Sequence, residues 1–75
     1  MKVRDMNVKT VRKDGRTEMY LHGTTYIGSF YSFGKFWAWT DMEDSEHNPA
    51  SSLKHAAYLA VLAHEDRVHR SMNHG

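Results

Sequence analysis

The sequence predicts an α+β fold in which a four-stranded antiparallel β-meander is followed by one C-terminal α-helix packed on one face of the sheet. Residues 1–41 contain β-prone runs separated by glycine turns, and residues 30–39, FYSFGKFWAW, hold six of the nine aromatic residues. Residues 49–70 instead carry apolar positions at helical spacing. A chain of 75 residues builds one hydrophobic core at most, so we expect a single domain over residues 1–75.

Glycine-containing pairs mark the turns between the predicted strands. Asp14-Gly15 lies between VKTVRK and RTEMYL, and an Asp-Gly pair between two β-prone runs is typical of a type I′ hairpin turn. Gly23-Thr24 and Phe33-Gly34 indicate two further tight turns. The expected strands cover about residues 3–12, 17–22, 25–31 and 35–41.

The turns also predict which side chains share a face of the sheet. Pairing outward from them sets Leu21 opposite both Val8 and Tyr26, and it sets Phe30 opposite Trp37. Because side chains alternate along a strand, each strand contributes to both faces. The face expected against the helix collects Met6, Val8, Met19, Leu21, Tyr26, Gly28, Phe30, Trp37 and Trp39. The outer face collects Lys9, Val11, Glu18, Tyr20, His22, Ile27, Ser29, Tyr31, Phe36, Ala38 and Thr40.

An acidic loop is expected between the last strand and the helix, at residues 41–48. Its first part, DMEDSE, holds four acidic residues and no basic one. Asn48 can cap a helix, and Pro49 suits the first helical position because its missing N–H is not needed there. We therefore expect the helix at about residues 49–70 and a frayed tail over residues 71–75.

One stretch of the predicted helix, residues 56–63, is apolar nearly all the way round. Its alanines suit close packing on the sheet, whereas Tyr58, Leu59 and Leu62 lie on the other side of the helix. A helix that is apolar on all sides is normally buried on both. The Tyr58 side therefore predicts a second partner, such as another copy of this chain, which would give a homodimer through the helix.

The sequence carries no motif for catalysis, for a cofactor or for a metal. His64-Glu65 and His69 resemble the HExxH zinc motif, but their spacing of five residues turns the two histidines about 140° apart on a helix. There is no cysteine, no serine lies in a G-x-S-x-G elbow, and the glycines do not form a phosphate-binding loop. We expect a protein that is not an enzyme and that has no cofactor and no metal site.

Protein binding is the function that the sequence favours. Aromatic and aliphatic side chains exposed on the outer faces of the sheet and the helix are typical of interfaces. The expected contact residues are Tyr20, Ile27, Tyr31, Phe33, Phe36, Tyr58, Leu59 and Leu62. Arg12, Lys13 and Arg16 form a basic patch that is expected to orient the encounter with the partner.

In its size, crowded aromatic residues and polarised charge, the chain resembles the accessory or inhibitor proteins that bacteriophages deploy against host machinery. The resemblance implies a small module that occupies a surface of a larger host protein or complex. An alternative interpretation is a nucleic-acid-binding sheet that uses Tyr20, Tyr31 and Phe36 together with nearby basic residues. A small homodimeric structural protein is a second alternative.

The composition also bears on the compartment. The absence of cysteine is compatible with a reducing cytoplasm. No apolar run approaches the length of about 18 residues that a membrane span needs, and the basic start of the chain is not followed by the apolar stretch of a signal peptide. We expect a cytoplasmic protein with a protein partner and no membrane contact.

Overall fold

The computed structural model describes residues 1–41 and 48–73, with only the backbone of Phe33 and Asn73. It shows an antiparallel sheet whose strands lie side by side in chain order and which is followed by one helix. The elements are β1 (Lys2–Val3), β2 (Met6–Lys13), β3 (Arg16–Leu21), β4 (Thr25–Phe33), β5 (Phe36–Asp41), β6 (Asn48–Ala50) and α1 (Leu53–Asn73). The α+β class and the C-terminal helix are confirmed, but the curled sheet has six strands and not the four that were expected.

The two additional strands form the edges of the sheet. At one edge, Arg4 and Asp5 make a tight turn with positive φ angles of 48° and 67°, so the first predicted strand is divided into β1 and β2. At the other edge, Pro49 pairs with Ala38 in β6 and does not begin the helix. Proline is tolerated in an edge strand because its missing N–H removes no inner ladder bond, and this pairing prevails over its preference for a helix start.

The helix consequently lies further along the chain than its expected position at about residues 49–70. It begins at Leu53 and continues to Asn73, so residues 71–73, expected in a frayed tail, are helical. Most of the expected acidic loop, residues 42–47, lies outside the described residues, as do His74 and Gly75.

A β-bulge in β4 changes which side chains reach the core. Met19 pairs with Gly28 as the turn chemistry predicts, but Tyr20 pairs with Tyr26, which leaves Ile27 as an extra residue. The expected pairing of Leu21 with Tyr26 is therefore wrong; Leu21 pairs with Thr25 across a three-residue loop. An extra residue reverses the alternation of faces beyond it.

The faces of Tyr26 and Ile27 are exchanged as a result. Ile27 points into the core and is only 2% exposed, so its expected place on the outer contact surface is wrong. Tyr26 lies instead on the outer face, where its ring centroid is 5.6 Å from that of Tyr20.

The register between β4 and β5 differs from the expected one by two residues. The turn uses Gly34 and Lys35, so Phe30 pairs with Trp39 and not with Trp37. A shift of two residues keeps each side chain on its face, and Phe30 and Trp37 still stack diagonally, with centroids 5.2 Å apart and planes at 11°. Trp39 is buried as expected, whereas Trp37 is 50% exposed.

The core lies between one face of the sheet and the small side chains of α1. Ala56, Ala57, Ala60 and Val61 are completely buried, and small residues let the helix axis approach the sheet closely. The sheet contributes Val3, Val8, Met19, Leu21, Ile27, Phe30, Trp39 and Ala50. The pairing of Val8 with Leu21 confirms the expected register of the first hairpin.

No helix in the described part of the chain is long and apolar enough to cross a membrane.

Replacing Gly28 with alanine tests how tightly β4 and β5 approach each other. Gly28 has a φ of +152°, and a Cβ atom there would meet the backbone carbonyl oxygen of Thr40. We expect Gly28→Ala to lower the free energy of unfolding by about 3 kcal/mol, measured by urea denaturation, because the obstacle is backbone that cannot rotate away.

Gly23→Ala is the matched control, since Gly23 also has a positive φ, of +81°, but no atom lies within 4 Å of the added carbon. Gly23→Ala should lower the free energy of unfolding by only about 1 kcal/mol, because alanine is disfavoured in a left-handed conformation by about that amount. Equal losses in the two variants would contradict a steric role for Gly28.

Candidate functional site

A groove with apolar walls lies where β5 begins and β6 ends. We call it the aromatic groove; its volume is ≈ 560 Å³, and it is lined by Phe36, Trp37, Ala38, Asn48, Pro49, Ala50, Ser51 and His55. Its walls therefore come from two neighbouring strands and the first turn of α1. An exposed groove of this composition is a candidate contact site.

Two aromatic side chains dominate the groove. Phe36 is 75% exposed and Trp37 is 50% exposed. As consecutive residues of β5 they point to opposite faces of the sheet, so one ring lies on each side of the start of β5. One face of the Trp37 indole lies against Phe30, which fixes the ring while its other face stays accessible.

The edge strand beside these rings is poorly suited to pairing with a further strand. β6 has only three residues, and its central residue is Pro49, which has no backbone N–H. Short edge strands that contain proline are a common protection against added strands. A partner of the aromatic groove is therefore expected to be bound through side chains.

Hydrogen bonds at the start of α1 hold the wall of the groove in place. The Ser52 hydroxyl accepts a hydrogen bond from the His55 backbone N–H at 3.1 Å, which is the contact of an N-cap residue. The Ser51 backbone N–H donates to His55 Nδ1 at 3.0 Å, so the imidazole ring is fixed over the chain that leaves β6.

A second groove continues from the first. It has a volume of ≈ 570 Å³ and is lined by Lys2, Val3, Arg4, Ser51, Ser52, Lys54, His55 and Tyr58. We call it the basic groove. Because Ser51 and His55 line both grooves, the two form one continuous surface, and residues near both edge strands meet beside the start of α1.

The outer face of the sheet does not present the aromatic patch that was expected there. Tyr20 and Tyr31 are half-buried, and of the aromatic side chains described on this face only Phe36 is exposed. Ser29 lies 1% exposed beneath Tyr26, and the two hydroxyl groups share a hydrogen bond of 2.6 Å. The outer face is thus partly a second, polar packing layer. The side chain of Phe33, another expected contact residue, lies outside the part of the chain that the structure describes.

The helix residues expected in contacts separate into two groups. Tyr58 and Leu62 are exposed, whereas Leu59 is partly buried and packs against the core. Tyr58 also lines the basic groove, and Leu62 lines neither groove.

The expected basic patch lies at the tip of the hairpin formed by β2 and β3. Lys13 pairs directly with Arg16, Arg12 precedes them on β2, and all three side chains are exposed. Like charges opposite each other on neighbouring strands repel. None of the three lines the aromatic groove or the basic groove.

Several residues of the two grooves were missed from the sequence. Trp37 was expected in the core; its face is correct, but α1 begins only at Leu53 and leaves the ring half exposed. Pro49 was assigned to the helix. Lys2 and Lys54 are far apart in sequence, and no local pattern indicates that they line the same groove.

No three histidine, aspartate or glutamate residues within 1–41 and 48–73 are arranged to hold a metal ion. Comparison with protein-family models, with curated proteins and with solved structures found nothing that matches this chain.

Ser52→Ala tests the cap that positions His55. Removing the hydroxyl leaves the His55 N–H without its 3.1 Å acceptor, and we expect the free energy of unfolding to fall by about 1 kcal/mol in a urea titration. Ser71→Ala, at an exposed position near the other end of α1, should change it by less than about 0.5 kcal/mol. A Ser52 variant as stable as the Ser71 variant would show that the cap contributes nothing.

Proposed function

We propose that this protein is a non-enzymatic protein-binding module that contacts its partner through the aromatic groove. The single observation behind this is the exposure of Phe36 and Trp37, on opposite faces of the sheet at the start of β5, with the indole ring stacked on Phe30. Phenylalanine and tryptophan bury about 150–250 Å² each when covered, which makes them effective anchors. A braced ring also loses little freedom on binding.

The module belongs, in this proposal, to the accessory or inhibitor type that occupies a surface of a larger protein, as phage proteins of this size do. The cytoplasm is the proposed location, in keeping with the composition. The alternative of nucleic-acid binding by the outer face is less well supported, because Tyr20 and Tyr31 are half-buried there and offer less ring surface for bases to stack on.

Selection of binding peptides tests the proposal. A phage-displayed library of short random peptides is panned on the immobilised protein, and the affinity of enriched peptides is measured by fluorescence anisotropy. We expect Phe36→Ser/Trp37→Ser to weaken binding at least about thirtyfold, which corresponds to the roughly 2 kcal/mol of a contact hot spot.

The control removes exposed apolar surface elsewhere. Val11 and Val68 are exposed and lie outside the aromatic groove, so Val11→Ser/Val68→Ser should leave peptide affinity unchanged. Phe36→Ser alone serves as the reporting variant if loss of the Trp37 ring lowers stability, since Phe36 is 75% exposed. Equal binding by wild type and the Phe36 variant, or no enrichment of peptides at all, would overturn the proposal.

Light scattering separates a foreign partner from a second copy of the chain. If the protein is a dimer that Phe36→Ser dissociates, the aromatic groove is a self-interface and the proposal of a foreign partner is wrong. If Leu62→Glu dissociates it instead, the homodimer expected through the helix exists and the groove remains accessible to another protein.

A further inference from the structure

The aromatic groove and the basic groove together indicate the chemistry of the partner. We infer that the occupant is a segment of an acidic protein, which places an apolar side chain in the aromatic groove and its carboxylates in the basic groove; this rests on the function proposed above. The two grooves meet at Ser51 and His55, so one extended segment can lie in both.

The charged residues that line the two grooves are basic, and Glu65 lies beside them in an ion pair with Arg4. Among the described residues, the charged side chains that line the basic groove are those of Lys2, Arg4 and Lys54, and the aromatic groove is lined by no aspartate, glutamate, lysine or arginine. No aspartate or glutamate within residues 1–41 and 48–73 lines either groove. Such a surface attracts carboxylates and disfavours basic partners, which gives specificity as well as attraction.

Arg4 is already held in position before any partner binds. Its Nη1 atom donates to Glu65 Oε2 on α1 at 2.8 Å, in a contact exposed to solvent. A guanidinium group has five N–H donors, so further donors of Arg4 remain for a carboxylate of the partner. The ion pair links the turn after β1 to the helix beside the basic groove.

A protein segment fits this surface better than a single-stranded nucleic acid. Binding of successive bases needs aromatic rings on one side of a basic track. Phe36 and Trp37 point to opposite faces of the sheet, and one face of Trp37 is covered by Phe30, so the two rings cannot stack neighbouring bases. The isoelectric point of about 8.1 is also below the strongly basic value typical of nucleic-acid-binding domains.

Charge reversal in the basic groove tests the inference on the peptides selected above. We expect those peptides to be enriched in aspartate and glutamate next to an apolar residue. Replacing their acidic residues with the corresponding amides should weaken binding to the wild-type protein about tenfold or more at an ionic strength of about 0.15 M, where the Debye length is about 8 Å. Lys2→Glu/Lys54→Glu on the protein should have the same effect.

The matched control is Lys9→Glu/Arg70→Glu. It changes the net charge of +1 by the same amount, but both residues are exposed and lie outside the two grooves. It should retain affinity within about threefold of wild type, because exposed charges beyond a Debye length are largely screened. Circular dichroism and urea denaturation establish that both double variants fold.

The outcomes distinguish the two proposals. Peptides that depend on Phe36 but carry no excess of acidic residues, or that bind the Lys2/Lys54 variant as well as wild type, overturn the acidic partner and leave the protein-binding function intact. Equal losses in both double variants also overturn it, because only net charge would then matter. If no peptide binds, but an oligothymidine does so and is lost with Lys2→Glu/Lys54→Glu, the basic groove binds nucleic acid and both proposals fail.

Discussion

The β-bulge in β4 is the constraint on which the rest of the structure depends. One extra residue, Ile27, lies between the partner of Tyr20 and the partner of Met19. It turns Ile27 into the core and Tyr26 out of it. From Gly28 onward, β4 pairs with β3 in the register that the turn predicts. Without the bulge, the alternation of side chains would place the Tyr26 ring on the core face of the sheet and Ile27 on the outer face.

Gly28 makes this arrangement sterically feasible. Its backbone lies against the carbonyl group of Thr40 on β5, at a distance that no Cβ atom allows. The bulge and the glycine therefore act together: the first selects the side chains of the core, and the second lets β4 and β5 come close beside it. On the outer face, the same region buries Ser29 beneath Tyr26, so both faces of the central strands are packed.

The exposed aromatic end of the sheet follows from how a small core is covered. A single helix with alanines on its inner side lies closely on the central strands and buries Met19, Phe30 and Trp39. It begins only after β6, so Trp37, at the start of β5, receives no such cover, while Phe36 points to the opposite face, away from the helix. The aromatic segment that contributes to the core therefore also contributes to the candidate contact surface. The basic groove lies next to it and is lined by residues of β1, by Ser51 and Ser52 and by the first turn of α1.

Local patterns predicted much of this correctly. The Asp14-Gly15 turn led to the right pairing of Val8 with Leu21, and the alanines of the helix led to its inner face. Phe36 was correctly assigned to the exposed surface because alternation along β5 survives a register shift of two residues. Such features depend on neighbours in sequence, where turn chemistry and side-chain periodicity act.

The sequence by itself determined the α+β class, the order of the four main strands and the helix, and the face of the sheet on which each aromatic residue of β5 lies. Only the tertiary structure decided the bulge at Ile27, the place of Pro49 in an edge strand and the meeting of Lys2 with Lys54 in one groove. The physical reason is that these three depend on how whole strands and the helix pack together and not on a local sequence pattern. Packing between such segments outweighs weak local preferences such as that of proline for the first turn of a helix.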